Sequence, residues 1–411
     1  MVRRNSSLIL TNIVFLSTLA IVLLSLVSVV FPALIITLVR TYDTGLEPFE
    51  TSPLTLPLMI SNSLLLGIGI LYYKKRLPGI IYKPIRYILN FEIKGKIALI
   101  IGVILLSIYI GFSISELSLN EADDWADYEV LEKGLAIWPY GETDNVYVKE
   151  QNDRYVRMLL LSTSLNVFQN IKLLPFVASI LLIITTYYIT YQLSQKRFAG
   201  IISMVVLLQS FTFLQFDTIA VYENFWVLFY ILSLYVVYKR WYVSPILYIL
   251  SIFTKAFSIM FLPMSIFFIY RAKISKNKKI VTTIFYGIAI GVMMIIFLAG
   301  ESVYGDLVRV DISEFWIGFT AWSYQLRFDF MMILTILPLT VGLFLASRRG
   351  KTEADSILVL ILGVLLAGPV LSMFTDFYYI LPYRFVPLVV FFAIGTGVFL
   401  AKKNDDSIDK K

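Results

Sequence analysis

The sequence has 411 residues, of which 58% are apolar and only 15% are charged, and its mean hydropathy is +0.80. Such a composition excludes an ordinary soluble globular protein and indicates a polytopic membrane protein. No cysteine and no histidine occur, which excludes disulfides, thiol nucleophiles, imidazole bases and metal sites built from either residue. Any chemistry must therefore use carboxylates, lysine, arginine, tyrosine or the backbone.

Apolar runs long enough to cross a bilayer, which takes about 20 residues, recur along the chain. The first follows Arg3 and Arg4 and is too long for a signal peptide, so a retained span is expected. A later run at 242–270 is interrupted at Lys255, and at about 1.5 Å per residue each half is too short to cross, which predicts a hairpin of two short helices. The ten uninterrupted runs lie near 13–39, 54–73, 97–113, 171–192, 199–216, 218–238, 280–299, 328–346, 355–374 and 383–401. We expect an all-α, polytopic membrane helical bundle of about twelve spans.

In this predicted order of spans, the basic residues fall on one side of the membrane. The loops at 74–96 and 271–279 and both ends of the chain are rich in Lys and Arg, and the positive-inside rule places them in the cytoplasm. One long helix over 242–270 would break this pattern, which favours the hairpin. The segment 114–170 has eleven acidic and four basic residues, which predicts a large first extracytoplasmic loop with short amphipathic helices. The charge is sorted by membrane side, and no nucleic-acid partner is expected.

The chain is expected to have three parts. Residues 1–96 would hold two leading spans and a basic segment along the cytoplasmic interface, to which only a topological role is given. Residues 97–401 would form the membrane core that holds every candidate site residue. Residues 402–411 would form a cytoplasmic tail, and no soluble domain is expected.

The acidic stretch at 120–129 contains the adjacent residues Asp123 and Asp124. Paired carboxylates just outside a membrane span can act as a general base and as cation ligands. The alternative is a helix cap, because Asp favours the capping position and Trp125, Tyr128 and Leu131 recur at helical spacing.

Two further acids lie in the predicted outer half of the bundle, with Tyr222 between them. Glu223 is predicted inside an apolar helix about two turns from its outer end, where an ionisable group costs about 2.5 to 3.5 kcal/mol. That cost favours a functional or paired carboxylate. Asp217 is first interpreted as a turn or cap residue, with a site role as the alternative.

Two cations complete the set of candidates. Lys255 is flanked on both sides by apolar residues, so its ammonium is expected to meet an anion, with snorkelling to the outer interface as the alternative. Arg384 opens the last predicted span on the same face, and its planar guanidinium suits phosphate oxygens. An anchor to lipid headgroups is the competing interpretation.

The order of these segments from about residue 97 to 400 resembles the GT-C class of membrane glycosyltransferases, similar to the protein-mannosyltransferase and aminoarabinose-transferase superfamily. Besides the acid pair, the resemblance rests on the segments 128–134 and 175–200 and on Ala220-Val221-Tyr222-Glu223, Ile252-Phe253-Thr254-Lys255 and Pro382-Tyr383-Arg384-Phe385. It implies a polyprenyl-phosphate sugar donor, Asp123 or Asp124 as the catalytic base, and a divalent cation such as Mg²⁺ or Mn²⁺ that these two residues could bind. It also implies Glu223 as the second catalytic acid.

The chain departs from the class in three ways: two spans precede the common core, no large soluble C-terminal domain follows it, and no His accompanies the acids. The function expected is nevertheless transfer of a sugar from a lipid-linked donor to a protein, lipid or glycan acceptor on the extracytoplasmic face of the cell membrane. Lys255 and Arg384 would stabilise the leaving phosphate, and Asp217 and Tyr222 would also bind substrate. The alternatives are a polymerase or ligase of lipid-linked glycans, and a transporter or flippase for a lipid-linked anion.

Overall fold

A computed structural model describes residues 2–39, 47–122, 125–299, 310–374 and 382–401. Regular structure within these ranges is entirely helical, in agreement with the predicted all-α class. Asp123, Asp124 and the predicted tail at 402–411 lie outside the described residues.

The α-helices are α1 (Val2–Val30), α2 (Leu34–Val39), α3 (Thr55–Tyr73), α4 (Gly79–Asn90), α5 (Gly95–Ser113), α6 (Asp127–Ile137), α7 (Val146–Asn152), α8 (Tyr155–Phe168), α9 (Leu173–Ser194), α10 (Arg197–Leu208), α11 (Phe211–Gln215), α12 (Phe225–Val236), α13 (Ser244–Thr254), α14 (Leu262–Arg271), α15 (Lys276–Ala299), α16 (Glu314–Tyr324), α17 (Phe330–Arg348), α18 (Glu353–Ser372) and α19 (Val386–Phe399). The 3₁₀ helices are Ile114–Ser118, Trp241–Val243, Ala256–Phe261, Gln325–Phe328 and Pro382–Phe385.

Seven helical segments of the described chain are long and apolar enough to cross a membrane. Four other apolar segments have only 10 to 17 residues, and α10 and α12, with 12 residues each, would reach only about 18 Å of a core of about 30 Å. The predicted count of twelve spans stays a prediction. The seven long segments are Leu8–Val30, Thr55–Tyr73, Gly95–Ser118, Leu173–Ser194, Phe330–Arg348, Glu353–Ser372 and Pro382–Phe399.

The chain divides into two compact units. The first unit contains residues 1–102, 186–212 and 309–411, and the second contains 103–185 and 213–308. The sequence-based division after residue 96 stays a prediction.

In the first unit, α1 packs against α16, α17 and α18. Its buried face carries small polar residues at helical spacing, and Thr11 and Ser25 on that face hydrogen-bond to Asp355 at 2.7 Å and to Ser323 at 3.1 Å. Ile9 and Leu16 are instead 60% and 61% exposed. Small polar residues inside and large apolar residues outside are typical of a helix that faces lipid.

A second close contact in the first unit joins α16 and α18. The indole of Trp322 lies against Gly368, where a Cβ would come within 2.2 Å of the ring, and its Nε1 donates to the carbonyl oxygen of Val364 at 2.9 Å. Only glycine at position 368 leaves room for this ring.

In the second unit, α12 packs against α13, and the Ser251 hydroxyl donates to the Trp226 carbonyl oxygen at 2.7 Å. The predicted interruption at Lys255 is present: α13 ends at Thr254 and a 3₁₀ helix begins at Ala256. The Tyr248 hydroxyl donates to the Ser258 carbonyl oxygen at 2.9 Å, so the chain folds back on α13 after the break.

The predicted span at 218–238 differs from the structure over its first seven residues. Residues 216–224 form no helix, and α12 begins only at Phe225. The placement of Glu223 two turns inside a helix is therefore wrong. Apolar Ile219, Ala220 and Val221 made the run look continuous, but side chains from elsewhere in the second unit satisfy the peptide groups of this segment.

Candidate functional site

The candidate site is built around residues 216–224, called the 216–224 loop below. All nine of its residues are buried although none is helical. Buried peptide groups outside a helix need other hydrogen-bond partners, because an unpaired N–H or C=O far from water costs about as much as a lost hydrogen bond. The charged side chains around the loop supply several of these partners.

Glu121 holds the loop from its N–H side. One carboxylate oxygen accepts from the backbone N–H of Ala220 at 2.7 Å, and the other accepts from the N–H of Val221 at 3.1 Å. Burial raises the pKa of the Glu121 carboxyl above its usual value, although the two amide donors and the charges of Lys172 and Arg157 partly oppose this effect. A carboxylate that receives both donors suits this position better than a neutral side chain of the same shape.

Arg157 holds the same dipeptide from its carbonyl side. Its Nη2 donates to the carbonyl oxygens of Ala220 at 3.2 Å and Val221 at 2.8 Å, and its Nη1 donates to Gln151. Its Nε donates to Oε2 of Glu223 at 2.9 Å in an ion pair whose two side chains are 1% and 4% exposed. The rigid fork of a guanidinium can serve several acceptors at once, which a lysine could not do. We call Glu121 and Arg157 together the clamp.

Lys172 adds a second buried cation to the same cluster. Its Nζ donates to the Glu116 carbonyl oxygen at 2.6 Å and lies 4.0 Å from Oε1 of Glu121. Thr218 on the loop donates to the Glu116 side chain at 2.9 Å. The residues after α5 and those at the start of α9 are thereby joined to the loop by charge and by hydrogen bonds.

Asp217 is fully buried at the start of the loop. Its Oδ2 accepts from the Ser113 hydroxyl at 2.9 Å, and its carbonyl oxygen accepts from Ser179 at 2.7 Å. Asn224 donates to Ser179 at 3.1 Å and to the Phe216 carbonyl oxygen at 3.1 Å, which closes the loop on itself. Both contacts of Asp217 are long-range, so its turn interpretation and its site role both stay predictions.

Tyr222 connects the loop to the acidic stretch. Its hydroxyl donates to Oδ2 of Asp127 at 2.7 Å, and its ring meets that of Trp125 edge to face with centroids 5.0 Å apart. Trp125 also contacts Phe216, at 5.7 Å between centroids. The loop is therefore held at both of its ends by residues 125–127.

These contacts define the surroundings of the predicted catalytic pair. Asp123 and Asp124 themselves lie outside the described residues. On one side Glu121 binds the backbone of the loop, and on the other Trp125 and Asp127 bind its aromatic side chains. The segments that carry the predicted base and the predicted second acid thus meet in one cluster of the second unit.

The two predicted phosphate-binding cations lie in different units. Lys255 is 8% exposed at the end of α13, and its Nζ lies 5.8 Å from the ring centroid of Trp226. Arg384 lies in the 3₁₀ helix before α19 of the first unit, where its Nε donates to the Tyr383 hydroxyl at 3.0 Å. Their joint action on one phosphate stays a prediction.

Metal binding was predicted only at Asp123 and Asp124. Within the described ranges, no three acidic side chains lie together in a group that could hold a metal ion. The predicted divalent cation therefore has no ligand set among those residues, and it stays a prediction for the acid pair.

Sequence reasoning missed the clamp. Glu121 was passed over for the adjacent pair of acids that follows it, and Arg157 was counted only as one of four basic residues in a long loop. A signal was present, because Arg157 begins a run of apolar residues at 158–161. If that apolar run is buried, Arg157 is buried with it, and a buried arginine almost always has a partner.

Comparisons of this chain with protein-family models, with curated proteins and with solved structures found no match.

Proposed function

We propose that this protein is an integral membrane glycosyltransferase that moves a sugar from a polyprenyl-phosphate donor to an acceptor hydroxyl on the extracytoplasmic side. The observation that supports it is the attachment of the acidic stretch to the 216–224 loop on both sides of Asp123 and Asp124. Catalytic groups must be held in place by packed neighbours to act in a defined geometry. The clamp and the aromatic contacts provide such support.

The proposed reaction is a single displacement. Asp123 or Asp124 takes the proton of the acceptor hydroxyl, whose oxygen attacks the anomeric carbon of the donor sugar. The bond between that carbon and the phosphate oxygen breaks, and its electron pair leaves with the polyprenyl phosphate. Lys255 stabilises the charge on the leaving group.

The residues of the loop have supporting roles in this proposal. Tyr222 and Asp217 contribute to the substrate-binding wall, and Glu223 orients the acceptor through its place beside Arg157. A divalent cation bound by Asp123 and Asp124 would add electrostatic stabilisation. A polymerase or ligase of lipid-linked glycans would use the same chemistry, with a longer glycan as the acceptor.

The test is sugar transfer by the purified protein in detergent, with radiolabelled polyprenyl-phosphate hexoses and pentoses and a panel of protein, lipid and glycan acceptors. We expect Asp123→Asn or Asp124→Asn to lower turnover by about 10²- to 10⁴-fold, as is typical for loss of a general base. Asp144→Asn is the matched control, because it removes an exposed carboxylate from the same acidic segment. Wild-type turnover by both single variants and by the double variant would rule out this mechanism.

A second candidate function is transport of a lipid-linked anion. The segment before α12 is the non-helical 216–224 loop, which contains buried Asp217 and Glu223, and buried Arg157 pairs with Glu223. Broken helices with ionisable groups at the break are typical of transporters. An assay in detergent distinguishes the two functions, because a transferase forms glycosylated product without a membrane. A transporter leaves its substrate chemically unchanged and moves it only across the bilayer of a proteoliposome.

A further inference from the structure

Helix α4 is a helix of 12 residues with no buried residue. It lies in the first unit between α3 and α5, both long enough to cross a membrane. Five residues separate it from α3 and four separate it from α5. At no more than about 3.6 Å per residue, these connections keep α4 close to the ends of two membrane-crossing helices, which is the level of the bilayer surface.

The apolar residues of α4 lie on one side of the helix. Ile80, Ile81, Tyr87 and Ile88 recur at the spacing i, i+1, i+7 and i+8, and they are 88%, 43%, 67% and 49% exposed. A stripe of large apolar side chains that the rest of the protein does not cover is expected to bind an apolar partner.

The polar side of α4 is basic. Lys83 and Arg86 lie on it at the spacing i and i+3, and both are exposed. Across 74–96 there are seven basic residues and one acidic residue, Glu92. A partner that covers this helix must therefore combine apolar material with negative charge.

Three contacts fix the end of α4 and the two residues after it to Lys196 and the start of α10. Lys196, which is 3% exposed, donates from its Nζ to the Leu89 carbonyl oxygen, and Glu92 accepts from the backbone N–H of Arg197 at 3.0 Å. The rings of Phe91 and Phe198 meet edge to face at 4.9 Å between centroids. These contacts hold the end of α4 in place, so its apolar stripe is exposed in the folded protein.

We propose that α4 is a binding surface for the anionic phospholipid headgroups of one leaflet. The apolar stripe enters the boundary between headgroups and acyl chains, and Lys83 and Arg86 at its edge pair with headgroup phosphates. In a bilayer the acyl chains can cover the apolar stripe, while the anionic headgroups above them can pair with the basic residues. The proposal does not depend on the glycosyltransferase function.

The test uses the absence of native cysteine. Single cysteines at Ile80, Ile88 and Asn90 are labelled with an environment-sensitive fluorophore in the full chain, reconstituted into phosphatidylcholine vesicles with increasing amounts of phosphatidylglycerol and a brominated lipid as quencher. We expect quenching at positions 80 and 88 and little at position 90, which lies on the polar side. The quenching should increase with phosphatidylglycerol and weaken in high salt.

The charge requirement is tested by Lys83→Gln and Arg86→Gln. Each should raise the amount of phosphatidylglycerol needed for half-maximal quenching by about fivefold, because a basic residue near an anionic surface contributes about 1 kcal/mol. Lys276→Gln is the matched control: it removes an exposed charge from the other long basic loop and should leave the titration unchanged.

Three outcomes would overturn the proposal. Labels at 80 and 88 that stay unquenched in every vesicle would place the stripe away from lipid. Quenching that ignores phosphatidylglycerol and both charge substitutions would make it a purely apolar contact. Energy transfer between labelled copies at position 80, together with loss of quenching, would identify a second copy of the chain as the occupant.

Discussion

Arg157 and Glu223 form a buried ion pair 2.9 Å long although 66 residues separate them in the sequence. The same guanidinium also donates to two carbonyl oxygens of the loop that carries Glu223. One side chain thus neutralises the acid and satisfies the backbone next to it. Since the removal of one member of a buried pair leaves the other charge uncompensated, we expect the order of the loop to depend on Arg157.

Replacing Arg157 should destabilise the fold strongly. We expect Arg157→Met to lower the free energy of unfolding by about 3 to 5 kcal/mol, because Glu223 is left charged in a buried site. Arg157→Met with Glu223→Met should recover part of that loss. Thermal unfolding in detergent measures both effects.

Lys133→Met is the control for this measurement. It removes an ion pair of the same kind, with Glu129, in which the two side chains are 60% and 73% exposed, and it should leave the unfolding temperature unchanged. Equal effects of the buried and exposed substitutions would show that the Arg157 pair does not stabilise the loop.

Glu121→Gln should loosen the loop without unfolding the protein. A glutamine keeps one oxygen as an acceptor, but its amide NH₂ group faces one of the two backbone N–H groups that donate to the carboxylate of Glu121. Loss of a hydrogen bond to a charged group costs about 1.5 to 3 kcal/mol, so amide exchange in peptides covering 216–224 should become about 10- to 100-fold faster. Hydrogen exchange with mass spectrometry resolves this segment.

Glu132→Gln provides the comparison, because Glu132 is exposed on α6 and makes no described contact with the loop. Unchanged exchange at 216–224 in Glu121→Gln would mean that the clamp contributes little to the order of the loop.

Substitutions at Lys255 separate binding from stability. We expect Lys255→Met to lower donor affinity by about tenfold, because a hydrogen bond to a charged group is lost, and to change the unfolding temperature less than Arg157→Met does. Arg157→Met leaves the Glu223 carboxylate charged in a buried site, which makes it the more damaging substitution. Lys255→Arg should keep part of the affinity, because charge survives while geometry changes.

Donor binding by these variants is measured directly with a fluorescent polyprenyl phosphate. If Lys255→Met unfolds the protein while the remaining folded fraction binds donor normally, Lys255 is a structural residue and the phosphate is held elsewhere.

The predicted topology is testable by cysteine labelling in intact cells. A cysteine at Lys276 should stay unlabelled by an impermeant reagent added from outside, because the positive-inside rule places 271–279 in the cytoplasm. A cysteine at Asp144, in the acidic segment, should react. Both positions are exposed in the structure, so the protein itself does not block the reagent. Labelling at Lys276 would contradict the hairpin at 242–270.

The all-α class and the long apolar helices could be predicted from the sequence, because both depend on local composition. The long segments such as Leu173–Ser194 and Glu353–Ser372 are apolar over at least 18 residues, and this is sufficient to identify them. The break at Lys255 was also visible, since a charge in the middle of an apolar run interrupts a local pattern. Both features are properties of contiguous residues.

The 216–224 loop could not be predicted in the same way. Its apolar residues Ile219, Ala220 and Val221 favour continuation of a helix, and the reason they do not continue it is supplied by Glu121 and Arg157, about 100 and 64 residues away. Pairing over such distances is not encoded in a local pattern. The choice of Asp123 and Asp124 over Glu121 has the same cause, because adjacent acids are conspicuous in a sequence whereas burial is not.

The order of synthesis gives the clamp a further consequence. Glu121, Arg157 and Lys172 all leave the ribosome before the loop that they bind, so a nascent chain that ends before Glu223 contains Arg157 without its acidic partner. An arginine at that stage must be compensated by water or by a lipid phosphate. Emergence of residues 220–223 would then displace that temporary partner, so the clamp can close only after these residues have been synthesised.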